Sequence, residues 1–237
     1  MMLDSKTSGH DVIEIGGGAA RFAGADSPVT QAYGLGHLGA ETDLGALEKF
    51  YADRTRNWEL IVTPFANPEF LNQVHARGYV PHHFETVMVQ SGTDVQIDVP
   101  YGIKVEEVDA LDPLWNRVAE AGWGELTDLP DEPGEISAMI QGTPNIRCYL
   151  ATLNGEPAAA AGMIQSRGVC LMAGASTRPQ FRGNGLQRAL TQRRLHDAGM
   201  GEIAQVVTLP GSISHRNAQR MGFQPLYSKM VFMRRPY

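Results

Sequence analysis

The stretch RPQFRGNGLQRAL, from Arg178 to Leu190, places two closely spaced glycines directly before a helix-like pattern. Leu186, Ala189 and Leu190 have the spacing of one helix face, so the glycines stand at a predicted helix N-terminus. A glycine in a helix lowers the helix stability by roughly 1 kcal/mol relative to alanine, so two glycines at this position need an explanation. One reason is an anion that approaches the backbone closely, because the first amide groups of a helix have no partner within the helix.

Two other interpretations of the glycines are weaker. Asn184-Gly185 favours a hairpin turn, but the residues that follow are spaced for a helix and do not alternate. A nicotinamide-cofactor loop would need a third glycine where this chain has Arg188. The stretch RPQFRGNGLQRALTQRR contains no acid, whereas the whole chain has a net charge of −6, which favours a polyanionic ligand. The arginines of this stretch are Arg178, Arg182, Arg188, Arg193 and Arg194.

The composition excludes several classes of protein. The chain has 237 residues, of which 43% are hydrophobic, as expected for a globular protein with a hydrophobic core. Its acidic balance argues against nucleic acid as the main partner. Its longest apolar stretches, such as Glu156–Ile164, are too short to span a membrane, and we expect no membrane partner. Cys148 and Cys170 form no CxxC motif and no disulfide framework, and the N-terminus has no apolar signal-like core, so we expect a cytoplasmic location.

Strand-like and helix-like runs alternate, which predicts an α/β (α+β) fold with a mixed sheet. The stretch Cys148–Gln165 predicts two strands joined by the turn Asn154-Gly155. Gly168–Thr177 is apolar on both faces and predicts a central strand. We expect a helix to follow the glycines and to end near Gly199. The remaining predicted elements are a strand at Glu202–Leu209, a short helix capped by Ser212 or Ser214 and ending at Gly222, and a strand at Tyr227–Arg235.

The first part of the chain repeats this order. Leu47–Gln90 resembles Leu190–Arg234, and a Gly-aromatic-x-Pro pattern occurs at Gly78 and again at Gly222. Upstream, a hairpin is predicted at residues 12–24 and a central strand at Val29–Gly36. Any two runs of alternating strands and helices share such a rhythm, but the shared glycine pattern favours a duplicated half-domain.

The two copies differ in length. The first copy is about three residues shorter, and the matching places this loss where QFRGNG stands in the second. We therefore predict two domains: a degenerate half-domain over residues 1–93 without the glycine loop, and a complete domain over residues 94–237. The polar stretch Ser91–Gly102 contains the boundary, and Ile103–Trp123 adds a strand and a helix that the first copy lacks.

Together, the central strand, the glycine stretch, the next helix and strand, and GSISHRNAQRMGF resemble the GNAT superfamily of acetyl-CoA-dependent N-acetyltransferases. The family motif Q/R-x-x-G-x-G/A is met by Gln180–Gly185. In the commoner register, which begins at Arg182, the last position is Gln187 instead of Gly or Ala. The resemblance covers about Tyr101 to Tyr237. It implies a tandem GNAT-like acyl-CoA N-acyltransferase fold, acetyl-CoA as the cosubstrate, and transfer of its acetyl group to a primary amine of a small molecule or peptide.

The resemblance also implies a cofactor site. The central strand would separate from the next strand, and acetyl-CoA would lie in the resulting wedge. Backbone groups at the end of the central strand would pair with the pantetheine arm, amides of the glycine loop would hold the pyrophosphate, and a residue on the second helix would contact the arm. The residues in these three roles are, in order, Ala175, Ser176 and Thr177; Arg182, Gly183, Asn184, Gly185, Leu186 and Gln187; and Asn217.

The catalytic acid is less well defined. Many family members have a tyrosine at the position of Ala218, and no carboxylate lies on the predicted central strand. Ser214 and Tyr227 are the candidate proton donors, with helix capping and packing as their alternative roles. For the acceptor, Glu120–Glu135 holds six acids and predicts attraction of a cationic amine, unless it is only a solvated acidic loop. Its candidate substrate residues are Trp123, Glu125 and Asp128.

Two other functions stay open. GLGHLG, from Gly34 to Gly39, matches the GxGxxG motif of NAD- or FAD-dependent oxidoreductases, but the following strand ends in Thr63-Pro64-Phe65 without the expected ribose-binding acid. A duplicated scaffold without the usual acid would also suit a non-catalytic CoA-binding sensor. The histidines show no HxH or HExxH spacing, and His82-His83 are expected on opposite faces of a strand. We therefore expect no metal site.

Overall fold

The computed structural model describes residues 11–37, 41–91, 97–199 and 201–234, which form two compact units. The first unit contains the described residues up to Val87, the short segment Thr208–Pro210 and the described residues from Pro225 onward. The second contains the described residues of Met88–Val207 and Gly211–Gln224.

In the first unit, two helices accompany a mixed sheet with the strand order β1-β2-β3-β4-β11-β5. Strand β3 pairs with β4 in parallel, whereas β11 pairs with β4 antiparallel, with Met230 opposite Val62. The elements are β1 (Asp11–Ile15), β2 (Gly18–Phe22), β3 (Gln31–Tyr33), α1 (Leu44–Ala52), β4 (Glu59–Val62), α2 (Pro68–Ala76), β5 (Tyr79–Ser91) and β11 (Gln224–Arg234).

Aromatic packing forms the core of the first unit. The Tyr51 ring stacks on Trp58 with centroids 4.3 Å apart, and Trp58 meets Tyr79 edge-on at 5.6 Å. Leu47 and Leu60 are fully buried beside them. Such aromatic pairs add about 0.5–1.5 kcal/mol beyond their buried area, so this cluster fixes α1 against the sheet.

In the second unit, four helices accompany a sheet with the order β10-β9-β8-β7-β6. The β9–β10 pair is parallel, and the remaining pairs are antiparallel. The elements are β6 (Ile103–Val108), α3 (Pro113–Trp123), α4 (Glu135–Gln141), β7 (Ile146–Leu153), β8 (Glu156–Ser166), β9 (Val169–Thr177), a 3-10 turn (Pro179–Phe181), α5 (Leu186–Ala198), β10 (Ile203–Thr208) and α6 (Ile213–Arg220).

Helices α3 and α5 hold the sheet of the second unit. The buried Trp115 of α3 donates its indole N–H to the Ala161 carbonyl oxygen at 3.0 Å. A Cβ atom added to Gly122 would lie 2.7 Å from the Ser176 hydroxyl oxygen, so only glycine lets α3 approach β9 this closely. Leu190 of α5 is fully buried in the core.

The predicted elements of the second unit are present. The β7–β8 hairpin turns at Asn154 and Gly155, whose φ angles are 52° and 87°, the signature of a type I′ turn. The central strand and the helix after the glycines are confirmed, and α5 ends at Ala198 with Gly199 as its C-cap. Of the two serines considered as caps, Ser212 caps α6 by accepting a hydrogen bond from the His215 amide at 3.1 Å.

The two halves of the chain contain their strands and helices in the same order. The order β3–α1–β4–α2–β5 recurs as β9–α5–β10–α6–β11. The compact units do not follow one cut near residue 93, because β11 pairs with β4 and belongs to the first unit. The predicted position of the length difference stays a prediction, because the connection after β3 includes residues 38–40, which lie outside the described residues. Among the described elements, the corresponding helices differ in length, with nine residues in α1 and thirteen in α5.

None of the helices in the described part of the chain combines the length and the apolar character that a helix needs to cross a bilayer.

Candidate functional site

A bulge shapes the end of β9. Ala173 lies opposite Gly162 and Ser176 opposite Ala160, so β9 holds one residue more than β8 over this interval. Gly174 takes a left-handed conformation, with φ 61°, and the next residue, Ala175, is exposed. Bulges of this kind redirect a strand and interrupt its pairing. The backbone around Ala175 is thereby turned out of the regular ladder.

Strands β9 and β10 separate beside this bulge. Their parallel ladder runs only from Val169 opposite Ile203 to Leu171 opposite Gln205. Beyond these residues, the described parts of the two strands have no further pairs. The predicted separation is therefore present, and it opens at the carboxyl ends of parallel strands, where ligands of α/β proteins commonly bind.

The glycine loop (Arg182–Gly185) joins β9 to α5 next to this opening. Gly183 and Gly185 have φ angles of 82° and 84°, in the left-handed region that favours glycine. Gly185 is the N-cap of α5 and provides no side-chain hydrogen bond to the helix. Among the described residues, no hydrogen bond uses the amide groups of Gly183, Asn184 or Gly185. The loop therefore presents free amide donors at the positive end of a thirteen-residue helix.

The arginines around the loop do not form the free positive cluster that the sequence predicts. Arg178 is buried and donates to the carbonyl oxygens of Pro157 and Thr127. Arg194 is also buried and donates to the Gly162 carbonyl oxygen at 2.9 Å, and burial lowers its pKa to about 10.

The other three arginines pair with acids, two of which come from elements distant in sequence. Arg182 pairs with Glu125, Arg188 with Asp98 and Arg193 with Asp197. The arginine-rich stretch alone predicts a positive surface. The prediction misses these three acids because all of them lie outside that stretch. The backbone amides, and not a guanidinium cluster, are thus the available donors of the loop.

Arg182 connects the loop to the end of α3. Its guanidinium donates to both carboxylate oxygens of Glu125, at 2.6 and 2.8 Å, and to the Gly122 carbonyl oxygen at 3.1 Å. This hydrogen bonding holds the pKa of the exposed Glu125 carboxyl below its ordinary value. Glu125 itself has φ 56°, an uncommon conformation for a residue other than glycine. The neighbouring Trp123 donates its indole N–H to the Ala175 carbonyl oxygen at 3.4 Å.

In the register of the family motif that begins at Arg182, Gln187 occupies the position of a small residue. Its amide nitrogen donates to the Ser176 carbonyl oxygen and to the Thr177 hydroxyl, each at 2.8 Å. The Thr177 carbonyl oxygen accepts from Arg182 at 3.2 Å. A departure from the motif thus has a structural role, since the Gln187 side chain ties the first turn of α5 to the end of β9.

The acidic segment after α3 is not a uniform charged patch. Asp128 is exposed and has no side-chain partner in the described chain, as expected for a group that meets solvent or a cation. Glu120, in contrast, accepts a hydrogen bond from the buried Ser137 at 3.1 Å. The Ser137 hydroxyl also lies 2.7 Å from the Asn116 side-chain oxygen, which shares the same proton, so this part of the segment joins α3 to α4.

The candidate catalytic residues lie on different elements. Ser214 is exposed on the first turn of α6. On the same helix, Asn217 is half-buried and its side-chain oxygen accepts from Arg220 at 3.0 Å, while Ala218 is buried. Tyr227 belongs to β11 in the first unit, where its half-buried ring contacts Phe65 at a centroid distance of 5.2 Å.

The first unit has a different arrangement at the corresponding place. Helix α1 is capped by Asp43, whose carboxylate accepts from the amides of Gly45 and Ala46 at 2.8 and 3.2 Å. A cleft of about 780 Å³ lies there. Its lining includes three acids, Glu41, Asp43 and Glu69. A negatively charged cap uses the amides and repels an anion, so this N-terminus is unsuited to a phosphate.

The GxGxxG match at residues 34–39 lies partly outside the described residues. Within them, a Cβ atom added to Gly36 would lie 2.1 Å from the Phe70 ring. Packing against α2 therefore requires this glycine, whether or not a dinucleotide binds.

Two histidines are arranged differently from the sequence-based expectation. The Nδ1 atoms of His82 and His83 lie 2.8 Å apart, so the prediction that these rings are separated by the strand is wrong. Their Cβ atoms alternate, but rotation about the side-chain torsions brings the imidazoles together. The prediction that the chain binds no metal stays a prediction.

The fold is similar to several solved structures. A GCN5-related N-acetyltransferase from Kribbella flavida matches with TM-score 0.69 and 18% identity, over 96% of this chain and 90% of that one. A functionally unknown conserved protein from Staphylococcus epidermidis matches with TM-score 0.61 and 12% identity, over 93% and 91% of the two chains. A tandem GNAT protein from the clavulanic acid biosynthesis pathway, without acetyl-CoA, matches with TM-score 0.60 and 15% identity, over 91% and 77%.

These likenesses confirm the predicted fold, that of the GCN5-related N-acetyltransferases. No protein-family model matches the sequence, and no curated protein does.

Proposed function

We propose that this chain, which has the fold of the GCN5-related N-acetyltransferases, transfers an acetyl group from acetyl-CoA to a primary amine. The observation that carries the proposal is the helix N-terminus at Gly185, where free amides stand beside the separation of β9 and β10. A diphosphate suits such a site because it accepts hydrogen bonds from several amides and interacts favourably with the helix dipole.

The contrast between the two halves supports one cofactor site per chain. In the second unit a glycine caps α5, whereas in the first unit the Asp43 carboxylate takes the amides of α1. We therefore assign acetyl-CoA binding to the second unit, and we assign to the first half a role in completing the protein or covering the acceptor. In this view the first half is a degenerate copy that binds no cofactor.

We assign the diphosphate to the amides from Gly183 to Gln187, since the Arg182 amide already donates to the Pro179 carbonyl oxygen at 3.2 Å. We assign the pantetheine arm to the backbone of Ala175–Thr177, with Asn217 as a further contact. The pantetheine arm would compete with two side chains for carbonyl oxygens of β9. The Ser176 carbonyl oxygen accepts a hydrogen bond from Gln187, and the Ala175 carbonyl oxygen accepts one from Trp123. A carbonyl oxygen can accept two hydrogen bonds, so the arm either shares these carbonyls with the side chains or displaces them. We expect Gln187→Ala to bind CoA at least as tightly as the wild type, whereas Gln187→Glu, which lacks the donor and adds a charge, weakens binding.

The reaction needs few groups from the protein. Acetyl-CoA supplies the acetyl group as a thioester, and the chain must deprotonate the amine and protonate the departing thiolate. Ala218 has no proton to give, so Ser214 and Tyr227 are our candidate donors. A proton donor contributes about 10²–10⁴-fold to the rate. A loss of this size in kcat for Ser214→Ala or Tyr227→Phe, with CoA affinity unchanged, would identify the donor.

We further propose that the acceptor is cationic and that Asp128 attracts it, with Trp123 as an apolar wall. Glu125 is paired with Arg182, and in the free protein it holds the loop. Asp128→Asn should then raise KM for diamines more than for neutral-tailed amines. Asp131→Asn, in the same exposed segment, serves as the matched control; equal effects of the two changes would mean that only general charge matters.

The test of the proposed function combines binding with turnover. Calorimetry with CoA should show one binding site per chain, and thiol release should follow the addition of acetyl-CoA with a panel of primary amines. The buried Ala218 at the usual acid position and the lack of a carboxylate on β9 favour one alternative, a non-catalytic CoA sensor. Binding without turnover on any amine would support that alternative, and no binding would exclude both.

A further inference from the structure

The first unit contains a cluster of possible metal ligands outside the candidate acetyl-CoA site. A ligand atom from each of Glu59, His82 and His83 can be chosen so that all three lie within 4.8 Å of one another. Glu59 starts β4, and the two histidines lie near the start of β5. The residues belong to one compact unit, and they come from two regular strands that are distant in sequence.

The backbone of Glu59 is held by strand pairing. The Glu59 amide donates to the Thr30 carbonyl oxygen at 3.3 Å, and Glu59 stands opposite Gln31 in the parallel β3–β4 ladder. Its neighbour Trp58 is buried in the aromatic core. A site built on paired strands loses little conformational freedom when a ligand binds, which favours affinity.

The imidazoles already face each other. The two Nδ1 atoms are 2.8 Å apart, so in the free protein one ring donates its N–H and the other accepts. Two nitrogen ligands of one tetrahedral zinc ion lie about 3.3 Å apart, given Zn–N bonds of about 2.0–2.1 Å. A metal ion could therefore replace the shared proton after the rings separate by about half an ångström.

The charges around the cluster also favour a cation. Glu59 is half-buried, and no lysine or arginine pairs with it in the described part of the chain. Glu85 has its own partner, since Lys229 lies 2.8 Å from its carboxylate. A dication at the cluster would compensate the Glu59 carboxylate, which has no lysine or arginine partner among the described residues.

We propose that Glu59, His82 and His83 bind a divalent transition-metal ion of the zinc class. Two imidazoles and one carboxylate are borderline ligands that suit zinc and its neighbours better than magnesium or calcium. Three protein ligands leave one tetrahedral position for water. The ion would join β4 to β5 within the first unit. This inference is independent of the proposed acetyl transfer and departs from the sequence-based expectation of no metal.

The test uses the full chain after treatment with a chelator. Calorimetry with Zn²⁺ should show one site per chain, and Mg²⁺ should show none at the same concentration. Loss of an outer-sphere partner already costs 10–100-fold in metal affinity, so His82→Gln, His83→Gln and Glu59→Gln should each cost about tenfold or more. Bound Co²⁺ should give the visible absorption of a tetrahedral ion in the wild type and lose it in these variants.

The matched controls are His75→Gln and Glu69→Gln, which change exposed residues of the same two types on α2 of the same unit. Their zinc affinity should stay within about twofold of the wild type. Absence of zinc binding by the wild type, or an equal loss in the controls, would overturn the proposal. If His83→Gln fails to fold, His82→Gln still decides, because the His82 side chain is exposed.

Discussion

Replacing Gly183 by alanine tests the role of the loop amides. Gly183 has φ 82°, and a Cβ atom there would meet nothing within 4 Å, so the change adds no clash and acts only on the backbone conformation. The left-handed conformation costs a residue other than glycine roughly 1–2 kcal/mol. The variant can avoid this cost by turning the peptide, and the amides then point away from a bound diphosphate.

The size of the effect follows from these terms. An amide hydrogen bond to a charged group contributes about 1.5–3 kcal/mol. The variant either loses one such bond or keeps it in a conformation of higher free energy. Since 1.4 kcal/mol is a factor of ten, either case lowers the affinity for CoA roughly tenfold to a hundredfold. We expect Gly183→Ala to weaken CoA binding by this factor in calorimetry and to leave the affinity for pantetheine, which has no diphosphate, almost unchanged.

Gly168→Ala is the matched control for this experiment. Gly168 has φ 80°, lies in the β8–β9 turn of the same unit, and also has open space around the added Cβ atom. It carries the same backbone cost away from the loop, so its CoA affinity should equal that of the wild type. The reasoning would be refuted by unchanged CoA affinity in Gly183→Ala, or by an equal loss in Gly168→Ala.

Three further predictions concern stability and reactivity. Gly122→Ala should lower the free energy of unfolding by about 1–3 kcal/mol in denaturant titrations, because the added carbon overpacks α3 against β9; an unchanged midpoint would contradict the packing argument. Burial raises the pKa of Cys148 to about 12 and also raises that of Cys170, so native protein should react with a thiol reagent at pH 8 far more slowly than unfolded protein. The fragment 94–237 should aggregate in light scattering, because it keeps β11 but lacks its partner β4; a soluble, active monomer would argue against this dependence.

The sequence predicts those features of the fold that local rules determine. Asn154-Gly155 has the turn chemistry of a tight hairpin, and Leu186, Ala189 and Leu190 have helical spacing after two glycines. Each pattern is local, and each element is present where it was predicted. The position of the glycine loop beside the opening of the sheet is implied by the resemblance to the GNAT superfamily and not by the local pattern.

Features that depend on distant partners could not be predicted in this way. The arginine-rich stretch suggests a positive surface, but Glu125 and Asp98 come from other segments and neutralise it. The meeting of His82 and His83 depends on side-chain rotation, which strand alternation does not describe. The pairing of β11 with β4 of the first unit also depends on a distant partner, and the repeat alone would place β11 in the second half of the chain.

A crystal structure of the chain with bound CoA tests the central claim most directly, because it shows the partners of each diphosphate oxygen. The account predicts diphosphate oxygens about 2.7–3.2 Å from amide nitrogens between Gly183 and Gln187 in the second unit. A diphosphate held elsewhere, by side chains alone or at the N-terminus of α1, would contradict it.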